Sequence, residues 1–119
     1  MANVYKTIYD TLSAIGYPVY EQGSLGDDDP MPADLITYQL INKSDITHSD
    51  NLPTSNVVRV QVALYSTDPE IKQSADATLW AVMKPAGFMR MGGRDLPFDP
   101  STGHYGYVCE YRIYQKEDQ

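Results

Sequence analysis

Val4, Ile8, Leu12 and Ile15 follow one another at separations of four, four and three residues, which sets them on one stripe of an α-helix. Asn3 offers an N-cap, and Gly16 followed by Pro18 supplies the stop, because glycine accepts left-handed backbone and proline cannot continue the ladder. A short extended segment, Pro18 to Gln22, comes next. From Asp34 to Ile41 the residues are rich in strand formers, which predicts a strand partly buried on both faces. Asn56 to Tyr65 alternates most cleanly, with Val58, Val60, Val62 and Leu64 on one face and Arg59, Gln61 and Tyr65 on the other, the pattern of a central strand. Asp68-Pro69 opens a second helix with a side-chain acceptor at the cap and a fixed φ at the first position. Its apolar stripe is Ile71, Ala75, Leu79 and Met83, with Val82 alongside, and Pro85 and Gly87 close it. Phe88 to Met91 predicts a short strand ending in a hairpin turn at Gly92-Gly93, and Asp99 to Gly103 a further turn. The last strand runs from His104 to about Gln115. Tyr105, Tyr107, Cys109, Tyr111 and Ile113 lie on one side, and His104, Gly106, Glu110, Arg112 and Tyr114 on the other.

Two segments break this periodicity. Residues 23 to 33 hold Gly23, Gly26, Asp27-Asp28-Asp29, Pro30 and Pro32, the composition of an acidic surface loop. Residues 42 to 55 are polar, contain Pro53 and read as a loop much longer than an ordinary hairpin connection. The expected fold class is α+β, a mostly antiparallel sheet with two helices packed on one face, in the order α-β-β-β-α-β-β. The length of 119 residues suits one domain over residues 1–119.

Charge narrows the functional classes. Sixteen Asp and Glu against nine Lys and Arg give a net charge of -7, which disfavours attraction to phosphate backbones and to anionic lipid, so neither nucleic acid nor a membrane is an expected partner. No apolar run reaches the ~20 residues of a membrane span. The single Cys109 cannot form an internal disulfide, and residues 1–20 carry no continuous apolar signal region, which together predict a reducing cytosol.

The chemistry-bearing residues form no known constellation. Asp27, Asp28 and Asp29 offer hard oxygen ligands but lack the alternating spacing of a calcium loop, and a solvated loop accounts for them. His104 and Cys109 are an odd number of residues apart on one strand, so they point to opposite faces and cannot act as base and nucleophile. His48, with Asp50 nearby, lies in the long polar loop and could join Asp27, Asp28 and Asp29 in a metal-dependent hydrolase only if the two loops converge. No zinc, nucleophile-elbow or phosphate-loop motif is present, so no cofactor and no enzymatic activity are expected. Ten of thirteen aromatics are tyrosine, a residue that suits half-buried strands and protein interfaces alike. Tyr105, Tyr107 and Tyr111 read as core, and Tyr65 and Tyr114, on the polar faces of their strands, as interface candidates.

The order of elements carries a resemblance. The Val4 to Ile15 helix leads into Tyr17-Pro18-Val19-Tyr20, and Pro32-Ala33-Asp34-Leu35-Ile36-Thr37-Tyr38 enters a strand. Arg59-Val60-Gln61-Val62-Ala63-Leu64-Tyr65 precedes the second helix, and Gly103-His104-Tyr105-Gly106-Tyr107 with Glu110-Tyr111-Arg112-Ile113 closes the chain. In this the chain resembles the tail-completion, or tail-terminator, proteins of long-tailed bacteriophages and prophages, the lambda U protein group, over nearly all its length. The resemblance implies a structural virion protein of the tail, assembled in the host cytoplasm as a homo-oligomeric ring, commonly a hexamer. Such a ring caps the tail tube protein and presents a joint to the head-tail connector. The loops at 23–33 and 42–55 would then meet partners or face the pore, and negative charge would let DNA slide past. A head-completion, minor tail or capsid protein would share almost every feature of the sequence noted here.

Overall fold

The computed structural model describes residues 3–25, 30–46 and 55–116, with side chains undescribed at 43–46, 55–56 and 115–116. Helix α1 (Val4–Ser13) begins where the Asn3 side chain accepts a hydrogen bond from the Tyr5 amide, and Gly16, at φ 103°, turns the chain away after it. Strand β1 (Val19–Glu21) pairs in parallel with β2 (Asp34–Ile46). From there the ladder is antiparallel: β2 to β3 (Ser55–Ser66), β3 to β5 (His104–Lys116), and β5 to the edge strand β4 (Met89–Asp99). The sheet order is β1-β2-β3-β5-β4, so the cleanly alternating strand is indeed central. The architecture is α+β, with one short helix more than the sequence predicts.

All helices lie on one face. Val4, Ile8 and Leu12 of α1 join Ile36, Tyr38, Val58, Val60, Val62, Leu64, Tyr107, Cys109 and Tyr111 of the sheet in one buried cluster, with Ala75, Leu79 and Met83 completing it. At about 25 cal/mol per Å² of apolar surface removed from water, this continuous layer is the main stabilising term. Trp80 stacks on Tyr111, ring centroids 6.2 Å apart.

Four sequence expectations need correction. The predicted second helix is two helices, α2 (Pro69–Gln73) and α3 (Ala75–Met83). Ser74 sits between them at φ -91°, ψ 0°, with its amide shared among three carbonyls, a bridge-region conformation that periodicity does not register. The loop expected at 42–55 is shorter, because β2 runs on to Ile46 and pairs with β3 back to Ser55. That stretch takes its backbone partners from β3, and on β3 Val58 is the last described residue that is buried on the way to the connection, so it needs no apolar alternation. Gly92-Gly93 is no hairpin turn: both lie inside β4, beside a register shift between Arg90 and Gly92. Tyr105 lies outside the buried cluster and packs instead on Phe98, ring centroids 4.7 Å apart. The molecule is elongated, 53 × 29 × 23 Å, because β2, β3 and β5, at 12 or 13 residues and ~3.3 Å per residue, set the long axis.

Candidate functional site

Among the described residues, no helix covers the second face of the sheet. Strand alternation and the observed register place Leu35, Thr37 and Gln39 of β2, Val57, Arg59, Gln61, Ala63 and Tyr65 of β3, and the even-numbered residues of β5 on it. One end is closed by its own side chains. Leu35, Ala63, Val108 and His104 are buried there. The Tyr65 ring lies against Gly106, so close that a Cβ on Gly106 would fall 3.0 Å from it. Burial raises the pKa of Tyr65, an effect that a hydrogen bond with the Thr37 side chain partly offsets. His104 Nε2 donates to the Pro32 carbonyl at 2.7 Å and pins the approach to β2, while its Nδ1 is buried without a partner among the described residues.

The other end of this face is charged. Arg59 stands directly opposite Arg112 across the β3–β5 ladder, a pairing of like charges that is unfavourable unless compensated. Glu110 compensates one of them: Arg59 Nε donates to its Oε2 at 2.7 Å. Arg112 lies over the Tyr114 ring, 5.7 Å from the centroid, and its Nε is buried without an acceptor. Tyr114 itself is 54% exposed. Arg94 of β4, opposite Val108, borders a shallow depression of about 320 Å³ together with Gln61, Gly92, Gly93 and Glu110. Two of these residues lack side chains, so the backbone of β4 forms the floor.

The helical side holds a different polar cluster. Arg90 Nε donates to Asp76 Oδ1 at 2.8 Å, Tyr107 Oη donates to the same oxygen at 2.8 Å, and Arg90 reaches the Tyr107 hydroxyl at 3.3 Å. The Arg90 hydrogen bond, aided by that from Tyr107, holds the Asp76 carboxyl below its usual range. Burial, then donation to Asp76, pushes the Tyr107 phenol up to about 12. This cluster ties α3 to β4 and β5, and its groups engage one another, which suits a clamp better than a reaction centre.

Tyr65 and Tyr114 therefore share the uncovered face, at its closed and charged ends respectively. Asp27, Asp28, Asp29, His48 and Asp50 lie outside the described residues. Cys109 is buried in the core and His104 on the opposite face, as strand parity requires. Among the described residues, no group of three or more His, Cys, Asp or Glu could hold a metal ion, and no helix is long and apolar enough to cross a membrane. Arg59, Arg94, Glu110 and Arg112 escaped the sequence reading. Alternation put Arg59, Glu110 and Arg112 on polar faces and gave Arg94 no strand position, and only the register brings the four together.

No protein-family model matches the chain, and no curated protein does. Among solved structures it is similar to a chain of the virion of a native gene transfer agent (GTA) particle, with a TM-score of 0.63 and 14% identity over 96% of this chain and 92% of that one. At that identity the likeness shows a shared fold, spanning essentially the whole of both chains.

Proposed function

We propose that this chain is a structural component of a phage-like virion, and within it a tail-completion protein: a ring of copies that caps the tail tube and forms the joint to the head connector. The observation that carries this reading is the end-to-end match of fold to a chain of a GTA virion, with the element order of the tail-terminator group on top of it. The uncovered sheet face supports an assembly role, since it offers arginine and tyrosine, both enriched where proteins meet. Fold alone does not assign function, so the test is genetic. The gene is deleted in a particle-producing host, and particles are examined by electron microscopy. Tails of irregular length and heads without tails are expected. Normal-length tails on the particles would exclude the tail-completion role, and filled heads leaking DNA would favour head completion.

A further inference from the structure

Between Val108 and Tyr114 the uncovered face carries, among the described side chains, Arg59, Arg94 and Arg112 against the one carboxylate of Glu110, an excess of cations in a chain of net charge -7. Of the other described cations, Lys6, Lys72 and Arg90 each pair with an aspartate, and exposed Lys84 does not. Arg94 and Arg112 have no ion-pair partner among the described residues, and Arg112 already buries one guanidinium N–H without an acceptor. Among the described residues, this end of the uncovered face therefore carries a net positive charge. On the helical side, Glu21 at the end of β1 and Glu70 in α2 are exposed and have no ion pair among the described residues.

Resting on the assembly reading above, we propose that the Arg94–Arg112 face docks the carboxylate-bearing helical side of a second copy of this chain. Two copies meeting through the same face would bring these arginines against each other, a repulsive arrangement. Contact between opposite sides of the molecule avoids it. Such a contact is heterologous, so each copy keeps one surface of each kind free, and the arrangement closes into a ring when the rotation per copy allows. The depression over Gly92 gives a partner's acidic side chain a path to Arg94, because Gly92, opposite Glu110, projects nothing into it and the Cβ position of Gly93 points to Tyr107 on the other face. Duplex DNA is the other polyanion that could meet these arginines, but the overall negative charge opposes it at long range.

The test is sedimentation velocity of the full chain and of charge variants, with circular dichroism to confirm folding. Arg94→Glu, on an exposed edge strand, is expected to weaken self-association at least about tenfold. Raising salt from about 0.1 M to about 1 M, which shortens the Debye length from about 10 Å to about 3 Å, is expected to weaken the wild type similarly. Combining Arg94→Glu and Arg112→Glu with Glu21→Arg and Glu70→Arg is expected to restore assembly. Three results overturn the proposal: unchanged association of Arg94→Glu, a wild type that is monomeric at all concentrations, or arginine-dependent binding of a labelled DNA duplex in place of self-association. All three leave the virion reading standing, and it falls only if particles from the deletion host are normal.

Discussion

Gly93 shows how one residue can be required by its neighbour's size. A Cβ there would lie 2.0 Å from the Tyr107 hydroxyl and 2.9 Å from the Val108 carbonyl oxygen. Neither can yield: Tyr107 is buried and held by Asp76 and Arg90, and the carbonyl belongs to the ladder. Gly93→Ala is therefore expected to destabilise the fold by about 2 kcal/mol, the cost of overpacking a filled site, read as a lower urea midpoint at unchanged m. The Asp76 carboxyl, which accepts from the same Tyr107 hydroxyl, links stability to pH. Its folded pKa is depressed, so its contribution is present above the unfolded value of 3.8 and is lost as pH falls through the still lower folded value. Half-exposed as it is, the group is screened and contributes about 1 kcal/mol at most. Asp76→Asn should lower stability at neutral pH and flatten its decline below pH about 4, measured by denaturation across that range.

At the scale of elements, the break at Ser74 divides the labour of the second helical segment. Ala75, Leu79 and Met83 of α3 are fully buried, whereas no residue of the five-residue α2 is. Leu79→Ala is expected to cost about 3 kcal/mol through lost transfer energy and the cavity left behind. Ile71→Ala, on the partly exposed α2, should cost about 1 kcal/mol, both values read from chemical denaturation. Periodicity alone treats these two positions as equivalent members of one stripe. The stripe, the Asp68 cap and the Asn3 cap were legible because each depends on residues within one turn of helix. The break was not, since Ser74 resembles any other polar position until the backbone around it is seen. The extra length of β2 and β4 was hidden for a related reason: their added residues are ordered by hydrogen bonds to β3 and β5, which any sequence without proline at the paired positions can make.

For the whole molecule, the governing fact is that the five strands, among the described residues, carry helices on one side only. A two-layer domain of this kind has one sheet face without a cover, and its residues decide what that face can do. The tyrosine pair foreseen on polar strand faces does lie on it, but with different neighbours: Tyr65 closes over Gly106, and Tyr114 stands open beside Arg112. The charged group between them comes from three strands, and Arg59 meets Glu110 from 51 residues away in sequence, a pairing no local pattern links.

Read along the chain, hydrophobic spacing determined the two apolar helix stripes, the central strand, the parity that separates His104 from Cys109, and the α+β class. These follow from periods of 3.6 and 2, which the backbone imposes on every residue it orders. Tertiary structure alone decided the strand order, the parallel placement of β1, the bulge that keeps Gly92 and Gly93 within β4, and the meeting of Arg59 with Arg112. Each depends on which strand lies beside which, and register across a sheet is set by packing over the whole core rather than by neighbours in sequence.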